Sequence, residues 1–145
     1  MVRVSDGDTV TLLDGLRAQH RIRLAGIDAP EKAQPFGDAS KRHLSDMVFG
    51  ESVSVEYEKQ DRYGRIVGKI LKDGHDASLE QIRVGLAWHY KQYQREQSRE
   101  DRSAYAEVER EAQQAHAGLW QDAAPIPPWT WRRERRGKHR IKREP

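Results

Sequence analysis

The chain contains no cysteine, which excludes disulfides, thiol nucleophiles and thiolate-held metals and leaves the redox compartment open. No apolar run approaches the roughly 18 residues that a membrane-spanning helix requires, so no membrane partner is expected. The six histidines, His20, His43, His75, His89, His116 and His139, show no pairing at the spacings that zinc sites use, which argues against a zinc enzyme. There is no internal repeat and no long linker, and 145 residues suit one domain with a real core rather than two. No basic, apolar and small-residue signal pattern precedes Met1-Val2-Arg3-Val4, which already reads as strand. The expectation is that a targeting segment has been cut off upstream, which leaves localisation unknown and secretion or the periplasm open.

What is present is polar but globular: 36% hydrophobic against 34% charged residues, with four Trp and five Tyr. The net charge of +3 hides an uneven distribution. From Trp129 onward, eight Lys/Arg face Glu134 and Glu144, a net +6, which leaves residues 1–128 at −3. Basic character therefore belongs to the C-terminus, where a tail of this kind suits polyanions such as nucleic acid. The expected organisation is a domain over residues 1–131 followed by a disordered basic tail, 132–145.

Periodicity supplies the elements. Thr9 to Leu13 and Gln19 to Ile27 flank Asp14-Gly15 as a hairpin. In the second strand Ile22 and Leu24 alternate with Arg21 and Arg23, so the two arginines share the face away from the core. Residues 37–49 carry Ser40, Leu44, Met47 and Val48 at helical spacing, closed by Gly50. Ser52 to Glu58 alternates with Val53, Val55 and Tyr57 inward, and Ile66 to Leu71 is a further strand ending at Lys72-Asp73-Gly74. Asp76 is placed to cap a helix with Leu79, Ile82 and Leu86 on one face, and Ser98 to cap another carrying Tyr105, Val108, Ala112 and Ala115. Residues 126–131 read as extended, with tryptophans docking on the body. The whole predicts an α+β, mainly β fold: a five-stranded OB-fold β-barrel with three α-helices.

Three stretches concentrate charge beside turn residues: S-D-G-D-T at 5–9, R-L-A-G-I-D-A-P-E at 23–31 and D-R-Y-G-R at 61–65. Singly, each reads as solvated turn charges. Together they hold what phosphodiester hydrolysis needs: a cation, a base to take a proton from water, and donors for the equatorial oxygens. Asp8 and Asp28 are hard oxygen ligands suited to Ca²⁺ or Mg²⁺. Glu31 is a spare carboxylate three residues from Asp28, and Arg23 and Arg65 are permanent cations with forked donors matched to phosphate.

D-G-D-T, R-x-x-x-x-D-x-P-E and D-x-Y-G-R, in that order and followed by G-L-A-W and G-L-W, resemble the staphylococcal nuclease (thermonuclease) family from Val2 to about Trp120. That resemblance implies an OB-fold enzyme using Ca²⁺ to hydrolyse DNA and RNA and leaving 3′-phosphate ends. It implies Asp8 and Asp28 as calcium carboxylates, Ala29 as a ligand through its backbone carbonyl, Glu31 as general base, and Arg23 and Arg65 as phosphate-binding arginines. Arg62 and Tyr63 match positions bordering the nucleotide's terminal phosphate, and Tyr90 a nucleotide-side tyrosine. The best-known member has Thr where this chain has Ala29, and its long lysine-rich loop is shortened here to Lys32–Phe36. Single strands are the expected preferred substrate, since the groove of an OB barrel admits them. A monomer with no obligate protein partner is expected. The rival reading, a noncatalytic nucleic-acid-binding module of the same fold, would be favoured by a broken acid and arginine set, and here the set is intact.

Overall fold

The computed structural model describes residues 2–143. Strands β1 (Val2–Asp6), β2 (Thr9–Leu13) and β3 (Gln19–Leu24) form an antiparallel meander; β6 (Ile66–Lys72) lies parallel to β3, and β5 (Ser54–Gln60) pairs antiparallel with β6. The short β7 (His75–Asp76) adds to β6, and β4 (Ile27–Asp28) leaves this sheet to pair with β8 (Trp88–His89). The result is the expected α+β, mainly β architecture, a curled OB-like half-barrel. Its core is aliphatic: Val10, Ile22, Leu24, Ile27, Leu44, Val48, Ile70 and Ile82 are fully buried. Period-two alternation puts Ile22 and Leu24 into that core and leaves Arg23 on the opposite face, where the site is built.

Helices α1 (Gly37–Val48), α2 (Ala77–Arg83) and α3 (Arg99–Gln114) are the three the periodicity predicts, and their capping chemistry is as read. Asp76 accepts from the N–H groups of Ser78 and Leu79, and Ser98 accepts from that of Asp101. Two local readings are revised. Tyr57 is exposed rather than inward, standing where the β5–β6 register shifts between Tyr57 and Lys59. The predicted strand 19–27 breaks at Ala25-Gly26. Gly26 has φ +81°, and a Cβ there would fall 2.4 Å from the Gln97 amide, so glycine is needed where the chain turns from β3 into β4.

The C-terminus departs further from expectation. Residues 126–131 are not one extended run: helix α4 (Pro128–Arg143) starts within them and runs across the expected boundary at 131/132. Pro128 takes the first helical position, where its missing N–H would have no partner in any case. The tryptophans do dock on the body, Trp129 meeting Trp88 edge-on at 5.5 Å.

Candidate active site

Asp8 lies in the tight turn between β1 and β2. A bulge between Val4 and Asp6 twists the end of β1, and Gly7 lets the turn press against α1: a Cβ there would fall 1.9 Å from Ser40 Oγ and 2.9 Å from Ala29 Cβ. Gln81 of α2 holds the turn from beneath, donating to the carbonyls of Gly7 (2.9 Å) and Ser40 (3.0 Å). The Asp8 carboxylate is in turn fixed by three groups. Thr9 Oγ1 donates to Oδ1 at 3.0 Å, Ala29 N–H donates to Oδ2 at 2.8 Å, and Arg23 Nη1 lies 3.6 Å from Oδ2.

Asp28 comes from β4, which the turn at Gly26 folds back beside Arg23. Arg23 Nη2 is 3.7 Å from Asp28 Oδ1, so one guanidinium lies between two carboxylates, one from the β1–β2 turn and one from β4. It also donates to its neighbour's carbonyl, Leu24 O, at 3.0 Å. Glu31 follows in a loop closed by Gln34, whose Oε1 accepts from Glu31 N–H and whose own N–H donates to the Glu31 carbonyl. The structure therefore gathers Asp8, Arg23, Asp28, Ala29 and Glu31 into one site.

Arg132 of α4 is part of that site and was not foreseen. Its Nη2 donates to Asp28 Oδ2 at 2.7 Å, and its Nη1 donates to Glu31 Oε1 at 2.7 Å and to Asp28 Oδ1 at 3.2 Å. No local pattern marks it, because its partner Glu31 is 101 residues away and the surrounding sequence is uniformly basic. Asp6 was missed too; its Oδ1 accepts from Asp8 N–H at 3.1 Å.

Arg65 joins the site less directly. Ile66 and Val67 pair with Ile22 and Arg23, so Arg65, two residues before Val67, falls on the face that Arg23 occupies. Its guanidinium is held by Asp61, Nε to Oδ2 at 2.8 Å, and lies 5.7 Å from the Tyr63 ring. Arg62 is 5.0 Å over the same exposed ring. Tyr90 follows β8, donates its N–H to Gly26 O at 2.9 Å, and stacks its ring on Trp129 at 5.2 Å and 11°.

The electrostatics follow from this crowding. Asp6, Asp8, Asp28 and Glu31 share two guanidiniums, a net of −2 when all are ionised. Burial, together with the hydrogen bond and charge of Asp8, pushes Asp6 up to about 7. Burial also pushes Asp28 up to about 6, with Asp8 adding to it and the two arginines opposing. Burial acts the same way on Asp8, but the Arg23 charge and its hydrogen bonds win and hold it below the usual carboxylate range. An oxygen-donor set that keeps a net negative charge beside its two arginines fits a hard divalent cation in chemical kind. Among the described residues no three acidic or histidine side chains form a closed cage, so Asp8 and Asp28 would need a backbone carbonyl and water to complete a cation's shell.

Residues 21–122 match the family described as staphylococcal nuclease homologue. The chain belongs to the staphylococcal nuclease family. An uncharacterized endonuclease of Escherichia coli is 43% identical over 91% of this chain and 82% of its own length. A micrococcal nuclease of Shigella flexneri is 38% identical over 92% of the chain and 79% of its own. A staphylococcal-like nuclease of Arabidopsis thaliana is 40% identical over 84% of the chain but only 36% of its length. As a member of the staphylococcal nuclease family the chain is a nuclease, a phosphodiester hydrolase. The family match ends at residue 122, before the helix that carries Arg132.

Proposed function

We propose that this nuclease is Ca²⁺-dependent and sugar-nonspecific, hydrolysing DNA and RNA, single strands in preference, to give 3′-phosphate ends. The observation that carries the reading is the pair of buried carboxylates, Asp8 from the β1–β2 turn and Asp28 from β4, brought to either side of the half-buried Arg23 guanidinium. Asp8 and Asp28 would hold the cation with the Ala29 carbonyl. A bound cation supplies positive charge beside the scissile phosphate, lowering the cost of bringing an anion to this acidic cluster.

The chain's own residues do the rest. Arg23 is kept charged against burial by Asp8 and Asp28, and its fork matches two phosphate oxygens where charge grows in the transition state. Arg65, just before β6, offers a second fork once a phosphate competes with Asp61. Glu31 is less buried than Asp8 and Asp28, its side chain 36% exposed against 10% and 1%, so it is better placed than they are to reach water and take its proton. Phosphate contacts carry no sequence information, so readout of the base sequence should be weak.

Cleavage of single-stranded DNA tests this directly. Wild type in Ca²⁺ should cleave, the chelated sample should not, and Glu31→Gln should be about 10²–10⁴-fold slower, the usual worth of a general base. Product ends should resist polymerase extension until a phosphatase removes the 3′-phosphate. Equal cleavage in chelator, or directly extendable ends, would overturn the corresponding part of the proposal.

A further inference from the structure

Resting on that reading, we propose that helix α4 is a built-in competitor of substrate: Arg132 holds Asp28, one of the two carboxylates a cation would take, together with Glu31, Trp129 covers the ring a base would stack on, and single-stranded nucleic acid displaces both.

Two independent contacts on one helix carry the argument. At one, the Arg132 guanidinium sits in bidentate fashion on Asp28 and bridges to Glu31. Both oxygens of Asp28 are engaged by Arg132, so this carboxylate cannot ligate a cation on that side while the bridge stands. Glu31, engaged with the same nitrogen that contacts Asp28, is not free to accept a proton from water. At the other, one turn earlier on the helix, Trp129 lies flat on Tyr90 at 5.2 Å. Tyr90 has a second aromatic neighbour, Tyr93, edge-on at 4.8 Å, and aromatic faces beside a phosphate site are platforms for unpaired bases. A guanidinium on the acids and an indole on the tyrosine reproduce, in one helix, the two halves of a cation-bound nucleotide.

The attachment of α4 is suited to release. A cavity of about 100 Å³, lined by Pro30, Gln34, Phe36, Trp88, Ile126 and Trp131 among others, lies between the Glu31 loop and the start of the helix, so this contact is not close-packed and forgoes dispersion energy. The helix also carries its own displacement signal: eight Lys/Arg between Pro128 and Arg143 against Glu134 alone. When a strand arrives with Ca²⁺, the acids exchange a guanidinium for the cation, and the guanidinium exchanges a carboxylate for a phosphate. No buried charge is left without a partner at the end of the exchange. A duplex keeps its bases stacked and has none to offer Tyr90, so the displacing polyanion is single-stranded.

Calorimetric titration of Ca²⁺, without nucleic acid, into wild type, Arg132→Gln and Arg132→Lys provides the test. If the open state is about one tenth populated, Arg132→Gln should bind Ca²⁺ about tenfold more tightly than wild type, and Arg132→Lys, which keeps the charge but loses the fork, should fall between. Thermal melts in chelator check that both variants fold, and Arg132→Lys carries the comparison should Arg132→Gln not. Equal or weaker binding by the variants while wild type binds Ca²⁺ overturns the competitor role and leaves the functional reading standing. No Ca²⁺ binding by any of the three overturns that reading and this inference with it. As a second readout, a cleavage-resistant phosphorothioate oligothymidylate with Ca²⁺ should change wild-type tryptophan emission, and Trp129→Phe should lose most of that change. Unchanged wild-type emission would mean that the Tyr90–Trp129 stack never opens, and the inference fails.

Discussion

His89 illustrates how much a single residue can owe to its surroundings. It is 1% exposed in β8, its Nε2 pairs with Gln97 Oε1 at 2.9 Å, and its Nδ1 has no partner among the described residues. Its ring meets Tyr105 edge-on at 5.8 Å, with Lys91 and Glu109 as the charged groups nearby. Burial, reinforced by the Lys91 charge and opposed by Gln97 and Glu109, holds the imidazole below its ordinary value. The folded state therefore keeps His89 neutral at a pH where the unfolded chain takes up a proton. Its contribution to stability is present above the unfolded value of 6.5 and is lost as pH falls through and below it. The loss from this one group cannot exceed about 1.4 kcal/mol per pH unit. Urea denaturation of wild type and His89→Gln at pH 7.5 and 5 should show the gap between them narrowing on acidification; a constant gap would sink the argument. The same scale explains which site residues were legible. Asp8, Arg23, Asp28 and Glu31 stand in short motifs beside Gly7 and Pro30, so local spacing betrays them, whereas Arg132 is one arginine among many in a basic run.

At the scale of elements, the site depends on three of them meeting under the β1–β2 turn. Gln81 of α2 spans to Gly7 O and Ser40 O, while His43 of α1 contacts its Oε1. Replacing it with alanine leaves two buried carbonyls without this donor, a loss of about 2 kcal/mol or more. Gln81→Ala should therefore lower the urea midpoint and also weaken Ca²⁺ binding, because Asp8 is carried on the turn that Gln81 supports. Lowered stability with unchanged Ca²⁺ affinity would show that the turn keeps its shape unaided. Elements with local signals are legible: the caps at Asp76 and Ser98, and the buried positions Ser40, Leu44 and Val48 of α1, Ile82 of α2, and Tyr105 and Ala112 of α3, whereas Leu86 and Ala115 fall beyond the ends of their helices. Helix α4 carries no such local signal: Pro127-Pro128 suggests extended chain as readily as a helix start, and its basic run has no apolar stripe long enough to announce a buried face.

For the whole molecule, charge is divided between an acidic site and a basic helix that lies on it. Arg133 and Arg135 are exposed on α4, away from the contacts Arg132 makes. Neutralising both as Arg133→Ala/Arg135→Ala should weaken single-strand binding at low salt and reduce the slope of log affinity against log salt by about 0.7 per charge removed. Turnover at saturating DNA should stay near wild type, since neither residue touches the acids. A proportional fall in that turnover would place them in the chemical step instead.

The sequence by itself determined the strand and helix segments, the caps of α2 and α3 and the acid and arginine motifs, because each rests on short-range rules: alternation, helical spacing, turn chemistry and motif order. Only the tertiary structure decided where the C-terminal segment goes. Arg132 reaches Asp28 and Glu31 across about a hundred residues, and Trp129 reaches Tyr90 through a packing surface built from β8 and the start of α4. Contacts of that kind form because buried carboxylates require a counter-charge and aromatic faces require cover, and which distant residue supplies them is settled by chain topology rather than by any local pattern.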